Sequence, residues 1–335
     1  MKKKILITGA SGFIGSFLVE EALNQGYQVF AGVRQSSNKN YLQNKEIIFA
    51  ELDFANTGKL QQQLQKITDA YGSLDYVIHN AGVTQSGKEE DFYKVNVEGT
   101  QHFTQALIEL QIPLKKFVFI SSLAAYGPGK EDFEPIETSV KPTPVSAYGN
   151  SKMIAEMQLK STIDFPYVII NPTAVYGPRD KDFFEFIKLI NSGWEPYLGI
   201  KKQMISLIYV KDLVKAIINL LSTNAVRESF IVSDGEAYDK EALGTAIKAI
   251  LNKKTVKIKL PLAPIMLVVG LLESLYKISG KRPFLNREKL REISSANWLC
   301  KTDKFWKVLQ SKPQYSLATG MKETIGWYKE NSWLS

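Results

Sequence analysis

Short apolar runs alternate with helix-like stretches through the first two thirds of the chain. The runs are rich in Val, Ile, Phe and Tyr and show little alternation of apolar and polar positions, which is typical of strands buried on both faces of a parallel sheet. The strands predicted in this way are Ile5–Ile7, Gln28–Val33, Ile47–Ala50, Tyr76–His79, Phe117–Ser121 and Tyr167–Asn171. The stretches between them predict the helices Ser16–Gln25, Thr57–Tyr71, Asp91–Leu110 and Ala147–Thr162. This alternation predicts an α/β fold, a doubly wound parallel sheet with helices on both faces.

The pattern becomes irregular after residue 172. The segment 171–180 is rich in Pro and Gly and predicts a loop, and the remainder mixes helices with short strands. We therefore expect a doubly wound domain of Rossmann type over residues 1–172, to which later segments return, and a smaller C-terminal α+β lobe over 173–335.

Composition indicates a soluble globular protein, with 44% hydrophobic and 23% charged residues. Cys300 is the only cysteine, so no internal disulfide can form, and this is typical of a reducing cytosol. The apolar run after Lys2, Lys3 and Lys4 is as short as a strand, and we interpret it as a strand rather than a signal peptide. A cytoplasmic protein is therefore expected.

The formal charge is +8 and is unevenly placed, since residues 240–312 hold 16 Lys or Arg against five Asp or Glu. The simplest interpretation is a solvated basic face. Neither aromatic stacking positions nor a reading helix accompanies it, so nucleic acid is not expected as a partner. A membrane surface and an acidic substrate are the alternative partners for this basic region.

A glycine turn follows the first predicted strand. The segment Thr8–Gly15 joins the strand-like run Lys4–Ile7 to the helix-like run Phe17–Leu23. The first two glycines allow a tight turn close to a pyrophosphate, the third allows helix and sheet to pack, and the helix N-terminus holds the anion. A tight turn without a ligand is the alternative. The expected coenzyme contacts are Gly9, Ser11, Gly12, Phe13, Ile14 and Gly15.

The second strand ends at Arg34, with Ser36 close behind, where NAD sites usually hold an acidic residue for the ribose 2′-hydroxyl. A guanidinium suits a 2′-phosphate, so NADP is favoured over NAD. After the third strand, Leu52 and Asp53 are expected beside the adenine, where the carboxylate could accept from the amino group. A helix N-cap is the alternative for Asp53.

Small residues follow the fourth strand, and Ala81 and Gly82 let the backbone run close to the coenzyme. His79 precedes them, but the only other histidine is His102 and no cysteine lies nearby. No metal site is expected, and His79 is interpreted as structural.

Tyr148 and Lys152 stand four residues apart on a predicted helix and so share one face. An isolated tyrosine has a pKa near ~10, and a neighbouring ammonium lowers it. The pair could therefore act as general acid and base toward an alcohol or carbonyl. Ser122, at the end of the fifth strand, could bond and orient the same substrate oxygen.

The turn, the serine and the Tyr–Lys pair resemble, in this order, those of the extended short-chain dehydrogenases/reductases, within the broad NAD-dependent epimerase/dehydratase superfamily. The resemblance covers nearly the whole chain and includes Asn80–Gly82, Asn96–Thr100 and Asn171–Pro178. Two positions depart from the family pattern, since Asn171 stands where Arg is common and Lys211 where Asp is frequent. These departures concern the substrate rather than the coenzyme.

The resemblance implies hydride transfer between a substrate carbon and the nicotinamide, with Ser122, Tyr148 and Lys152 as the catalytic residues and Tyr148 moving the proton. The coenzyme contacts that it adds are Ser121, Tyr148, Lys152, Pro172 and Val175. The substrate contacts that it implies are Thr84, Ala124, Tyr126, Tyr176 and Arg179. It also implies that residues 1–172 form the NAD(P)-binding domain and that 173–335 form mainly the substrate-binding lobe. A homodimer formed through the predicted helices Asp91–Leu110 and Ala147–Thr162 is implied as well.

Two substrate classes compete. A nucleotide-sugar epimerase or reductase would need cations for a diphosphate, for which the candidates are Arg179, Lys181, Lys201 and Lys202. Dehydratase relatives place an acidic pair just after the catalytic hydroxyl residue, and Leu123 and Ala124 stand there, which argues against sugar dehydration. A lipophilic alcohol or ketone would suit the 3β-hydroxysteroid dehydrogenase and dihydroflavonol reductase branch, which the chain also resembles.

The apolar run Leu262–Leu272 supports the lipophilic class. It is too short to span a bilayer, and a buried helix is one interpretation. Because lysines flank it, peripheral contact of 262–282 with an anionic membrane is the other. A non-catalytic regulator that senses the coenzyme is a third hypothesis for the whole chain, although relatives of that kind usually lack the Tyr–Lys pair that is intact here.

Overall fold

The computed structural model describes residues 2–278 and 286–334. Its strands are, in chain order, β1 (Lys4–Thr8), β2 (Gln28–Val33), β3 (Ile48–Glu51), β4 (Tyr76–His79), β5 (Lys116–Ile120), β6 (Tyr167–Pro172), β7 (Ala174–Tyr176), β8 (Trp194–Leu198), β9 (Met204–Ile205), β10 (Leu207–Tyr209), β11 (Glu228–Val232), β12 (Tyr238–Asp239), β13 (Val256–Leu260) and β14 (Asn297–Trp298). Its helices are α1 (Phe13–Asn24), α2 (Thr57–Tyr71), α3 (Glu89–Phe92), α4 (Gly99–Glu109), α5 (Ala147–Ser161), α6 (Asp182–Asn191), α7 (Val210–Leu220), α8 (Lys240–Leu251), α9 (Leu262–Ile278), α10 (Arg287–Ser294), α11 (Asp303–Leu309) and α12 (Leu317–Glu330). A π-helical turn, Tyr93–Glu98, joins α3 to α4.

The largest sheet is parallel and has the strand order β11-β6-β5-β4-β1-β2-β3. Inside it, β1 pairs with β2 on one side and with β4 on the other. The chain builds outward from β1 to β3 and then returns to add β4, β5 and β6, so the strand order reverses beside β1. Ligands of such sheets bind beyond the carboxyl ends of the strands at this reversal. The predicted doubly wound α/β fold is confirmed.

The middle of the sheet is buried on both faces, which explains why its sequence does not alternate. Every residue of β4, β5 and β6 is buried. Burying a large apolar side chain stabilises the folded chain by roughly 1.5–3 kcal/mol, so this core holds the strands rigidly beneath the site. Core members that are fully or almost fully buried include Leu6, Phe30, Val77, Phe103, Phe117 and Ile169.

The chain forms two compact units. The first comprises the residues up to Ala125 together with Ala147–Asn171 and Val214–Phe230, and the second comprises Tyr126–Ser146, Pro172–Leu213 and the chain from Ile231 onward. The sequence-based boundary at residue 172 therefore lies at one of the changes between units. The segment 126–146, assigned from sequence to the first domain, belongs instead to the second unit, where Gly129 pairs with Asn297 of β14 and Ile136 pairs with Cys300 just after it.

Candidate active site

The turn between β1 and α1 requires glycine at positions 9 and 15. Gly9 has φ +64°, and a β-carbon on it would lie 2.8 Å from the amide nitrogen of Ala81. A β-carbon on Gly15 would lie 2.0 Å from the carbonyl oxygen of Gly9. Helix α1 begins after Gly12, which offers no side-chain cap. The N–H groups of a first helical turn have no partner within the helix, so this cradle fits a pyrophosphate.

A buried chain of hydrogen bonds runs from this turn to the helical segment α3–α4. The amide of Ala81 donates to the Thr8 hydroxyl (3.1 Å), and that hydroxyl lies 2.8 Å from Nδ1 of His79. On the other side, Nε2 of His79 lies 3.1 Å from the hydroxyl of Thr100, which donates to the carbonyl of Asn96 (2.7 Å). Because the Thr100 hydroxyl donates its proton to the Asn96 carbonyl, it can only accept a hydrogen bond from His79. Nε2 is therefore the protonated ring nitrogen of His79. Burial lowers the pKa of His79 to about 3, so the ring is a neutral bridge.

Asn96, in the π-helical turn, continues this chain to α5. Its side chain exchanges two hydrogen bonds with the backbone of Val83 and donates to the hydroxyl of Ser151 (2.9 Å). That hydroxyl in turn donates to the carbonyl of Tyr148 (2.7 Å). The sequence pointed to Asn96 only as part of a family motif, and the structure shows that Asn96 links the backbone of Tyr148, through Ser151, to the loop after β4.

Lys152 is buried at the carboxyl end of β5. Its Nζ donates to the carbonyl of Ile120 (2.8 Å) and lies 4.8 Å from the ring centre of Phe119. A β-carbon on Gly82 would lie 3.3 Å from the same Nζ, so this glycine keeps the approach to the ammonium free. Burial lowers the pKa of Lys152 to about 8, and the charge of Glu156 opposes this shift.

Tyr148 and Ser122 accompany Lys152 in the first unit. Tyr148, one turn before Lys152 on α5, is half-buried, and its ring centre lies 6.3 Å from that of Phe92. Ser122 is half-buried directly after β5, and its hydroxyl accepts a hydrogen bond from the amide of Ala124 (3.1 Å). Half-burial leaves part of both side chains accessible to a substrate, as acid–base chemistry requires.

At the end of β2, the side chain of Arg34 is exposed, and its amide donates to the hydroxyl of Ser37 (2.9 Å). Ser36 is exposed beside it. Asp53 pairs with Lys59 (2.9 Å), which holds the pKa of that carboxyl below its usual range. The N-cap of α2 is Asn56, so the cap alternative for Asp53 is wrong.

The remaining predicted positions differ in accessibility. Thr84 is exposed, Leu52 and Ala124 are buried, and the Ser121 hydroxyl donates to Glu156 (2.5 Å). In the second unit, Tyr126 and Pro172 are buried, Val175 and Arg179 are half-buried, and Tyr176 is fully buried with its ring 5.4 Å from that of Tyr209. The structure therefore places the Tyr176 side chain in the core of the second unit, where it packs.

One carboxylate of this region was overlooked in the sequence. Glu156 is 3% exposed and accepts hydrogen bonds from Ser121 and Asn171, each at 2.5 Å. The available signal was its spacing, because it follows Lys152 by four residues and so lies on the same face of α5.

Helix α9 presents a large apolar face. Its exposed side chains include Leu267, Val268 and Leu271, which are 67%, 54% and 62% exposed, and Leu272 and Tyr276 are exposed on the same helix. The buried-helix interpretation is therefore wrong for these residues. No helix within 2–278 and 286–334 has the length and apolar content needed to cross a bilayer. Residues 279–282 of the predicted membrane-contact segment lie outside the described residues.

Comparison with known proteins gives a consistent result. The model of the NAD dependent epimerase/dehydratase family matches residues 5–233. A UDP-glucose 4-epimerase of Vibrio cholerae is 30% identical over 275 residues, which cover 78% of this chain and 80% of that protein. A ceramide reductase of Caulobacter vibrioides is 24% identical over 335 residues, which cover 98% and 96%. The solved structure of UDP-glucuronic acid 4-epimerase from Bacillus cereus in complex with NAD superposes with a TM-score of 0.77, at 22% identity, over 98% of this chain and 99% of that one.

Proposed function

Because the chain belongs to the NAD-dependent epimerase/dehydratase family and is an enzyme of that kind, we propose that it transfers a hydride between a nicotinamide coenzyme and a secondary alcohol or ketone. The observation that carries this proposal is the buried ammonium of Lys152, which lies on the same face of α5 as Tyr148 and beside Gly82. An ammonium so placed stabilises a phenolate, and a tyrosine activated in this way can exchange a proton at neutral pH.

The residues present fit the coenzyme, since Gly9 and Gly15 permit the tight turn that brings the N-terminus of α1 to the carboxyl end of β1. When bound, the coenzyme supplies or accepts the hydride. The N–H groups of α1 would hold the pyrophosphate, and Lys152 would hold the hydroxyls of the nicotinamide ribose. The exposed Arg34 beside Ser36 favours the 2′-phosphate of NADP over NAD.

The proton is handled by residues of α5 and β5. Tyr148 donates it to the substrate oxygen during reduction and accepts it during oxidation. Ser122 donates a hydrogen bond to the same oxygen and so orients the reacting carbon. The chain of bonds from Thr8 through Asn96 and Ser151 keeps the backbone of Tyr148 fixed during this exchange.

We propose a lipophilic substrate. The exposed apolar face of α9 supports this class, and so does the likeness to a ceramide reductase along nearly the full length of both chains. Leu123 and Ala124 occupy the positions where dehydratases carry an acidic pair, so sugar dehydration is not proposed.

A nucleotide-sugar 4-epimerase is the second candidate. It is favoured by the 30% identity to a UDP-glucose 4-epimerase. Its diphosphate would need free cations, and of the four candidates Lys201 already pairs with Glu131 (3.0 Å) on the surface. The regulator hypothesis is set aside, because the chain is an enzyme of this family.

A substrate panel tests the proposal. Purified protein is incubated with NADPH or NADH and a ketosphingolipid, a ketosteroid or an aromatic ketone, and the absorbance of the reduced nicotinamide is followed. UDP-glucose and UDP-galactose are assayed in parallel by product analysis, because epimerisation causes no net change in the coenzyme. Tyr148→Phe should bind the coenzyme but turn over at least ~10²-fold more slowly. Full turnover by this variant would overturn the proposal.

We also propose that the apolar face of α9 docks on anionic lipid, with the exposed Lys253 and Lys254 adding attraction. Flotation with phosphatidylglycerol vesicles at low salt should recover the protein. A Leu267→Glu/Leu271→Glu double variant should stay unbound, whereas the matched control Val140→Glu, at an exposed loop position, should float. Equal flotation of both variants would show that the apolar face of α9 is not the lipid-docking surface.

A homodimer through α4 and α5 is proposed as well, since Ile108 and Met157 are exposed apolar residues on these helices. Light scattering at micromolar concentration should give twice the mass of one chain, and the Met157→Lys variant should give the mass of a single chain. A monomeric mass for the unmodified chain would contradict the proposal.

A further inference from the structure

Glu156 is a carboxylate buried in the first unit, one helical turn after Lys152. A buried carboxylate is costly unless hydrogen bonds or a counter-charge compensate it. Its Oε1 accepts from Ser121 Oγ and from Asn171 Nδ2, each at 2.5 Å, and its Oε2 accepts from Lys160 Nζ at 3.2 Å. Both of its oxygens are therefore engaged.

These partners attach Glu156 to the segment that carries the candidate serine. Lys152 Nζ donates to the carbonyl of Ile120 (2.8 Å), and the hydroxyl of Ser121 donates to Glu156. Asn171 Nδ2 donates to the carbonyl of Ser122 (3.1 Å) as well as to Glu156. Three consecutive residues, 120–122, are thus each bonded to one member of a single network.

The network joins three elements. Glu156 and Lys152 lie on α5, residues 120–122 end and follow β5, and Asn171 lies in β6. Asn171 is neutral, so the charge of Glu156 is balanced by the half-exposed Lys160 and by Lys152. His79, on β4, also interacts electrostatically with Lys152, and burial keeps its ring neutral.

We propose that Glu156 is a positioning residue for the reaction, holding Ser122 and Lys152 in a fixed relation and keeping Lys152 in its ammonium form. The inference rests on the proposed function, because it assigns Ser122 and Lys152 their roles. Burial lowers the pKa of Lys152 to about 8 and Glu156 opposes this shift, so removing the carboxylate charge should lower the pKa further.

Glu156→Gln is the direct test, since glutamine retains an oxygen for Ser121 and Asn171 but has no charge. We expect near-native thermal stability and coenzyme affinity, kcat reduced on the order of ten- to a hundredfold, and the alkaline limb of kcat/KM moved to lower pH. Glu109→Gln, an exposed carboxylate on α4, is the matched control and should change none of these. Glu156→Asp should leave the alkaline limb of kcat/KM in place, because it retains the negative charge. It should lower kcat, because the shorter side chain no longer brings the carboxylate within hydrogen-bonding distance of Ser121 and Asn171.

A readout on the coenzyme-free protein separates charge from activity. The 13Cε signal of Lys152, assigned by its loss in Lys152→Met, is titrated with pH, and its midpoint should fall by about one unit in Glu156→Gln. An unchanged midpoint together with native kcat would overturn the inference. If Glu156→Gln does not fold, Asn171→Ser takes its place and should lower kcat without moving the midpoint, and a native kcat would then reject the network.

The two proposals fail differently. If Tyr148→Phe keeps turnover, the proposed function is wrong whatever Glu156 does. If Tyr148→Phe is inactive and Glu156→Gln behaves as the unmodified enzyme, only the positioning role is wrong.

Discussion

A buried lysine lies at each end of strand β5, and the two lysines differ in how many of their N–H groups already have acceptors. Lys116 is its first residue, and Lys152 donates to the carbonyl of Ile120, its last. Burial lowers the pKa of each lysine to about 8. Lys116 Nζ has three acceptors, namely the carbonyls of Leu220 and Thr223, at 2.6 and 2.9 Å, and the Thr223 hydroxyl at 3.2 Å. Lys152 Nζ donates one hydrogen bond among the described residues.

An ammonium has three N–H donors, so Lys116 is fully occupied in holding the C-terminal end of α7, whereas Lys152 retains donors for a ligand. Equal burial therefore does not mean an equal role. We infer from this difference that Lys116 stabilises the amino end of the sheet, and we propose that Lys152 serves the reaction at its carboxyl end.

The largest effect expected is on turnover. Lys152→Met should lower kcat/KM by about 10²–10⁴-fold, because it removes the ammonium beside Tyr148, while Lys116→Met should leave it within about threefold. Steady-state rates at pH 7 on the best substrate of the panel measure both. Comparable losses in the two variants would erase the contrast between the ends of β5.

The reverse contrast is expected in stability. Lys116→Met removes the ammonium donor from the carbonyls of Leu220 and Thr223 and should cost about 1–3 kcal/mol in the free energy of unfolding. Between pH 8 and 10.5 the unfolded chain binds more protons at this lysine than the folded chain, so its contribution to stability rises with pH. Urea unfolding at pH 8 and pH 10 should show a smaller rise for Lys116→Met than for the unmodified protein. An identical rise would mean that Lys116 is not the group responsible.

His79 lies at the carboxyl end of β4, as Lys152 lies at that of β5, but both of its ring nitrogens have hydrogen-bond partners. Its pKa is about 3 when folded and near 6.5 when unfolded, so the unfolded chain binds the extra proton and stability falls as pH drops from 6.5 toward 3. The slope from this residue is at most about 1.4 kcal/mol per pH unit. His79→Gln should show a shallower loss of stability between pH 7 and 5, whereas coenzyme affinity at pH 7 should be unaltered. A native slope in the variant would place the acid sensitivity elsewhere.

The smallest effect is expected at an exposed cation. Arg34→Ser should shift the ratio of NADP to NAD affinity by about tenfold toward NAD, because a surface guanidinium loses much of its strength to solvent. Isothermal titration with both coenzymes measures the ratio, and Arg227→Ser is the control. An unmoved ratio would show that Arg34 does not select the coenzyme.

The sequence predicted well those features that local chemistry determines. Gln28–Val33, Thr57–Tyr71 and Tyr76–His79 were predicted with the bounds that the structure shows, because strands buried on both faces and a regular helix have clear local patterns. The glycine turn was predictable in part for the same reason, since the steric demand at Gly15 comes from the nearby Gly9, whereas the demand at Gly9 comes from the distant Ala81.

Contacts between distant segments could not be predicted from the sequence. The bonds of Glu156 to Ser121 and Asn171 join residues 35 and 15 positions away, and no periodicity reports them. The three acceptors of Lys116 come from residues more than a hundred positions later. Strand β11 (Glu228–Val232), the last strand that the chain adds to the large sheet, was not predicted. It lies in a stretch of irregular pattern and joins a sheet whose other strands come much earlier in the sequence.

A crystal structure of the complex with NADP or NAD will show whether Tyr148 and Lys152 stand at the redox centre. We expect the nicotinamide ring in contact with Tyr148, its ribose hydroxyls within hydrogen-bonding distance of Lys152 Nζ, and the pyrophosphate on the turn at Gly9–Gly15. A nicotinamide found away from Ser122, Tyr148 and Lys152, or a coenzyme bound elsewhere on the molecule, would contradict it.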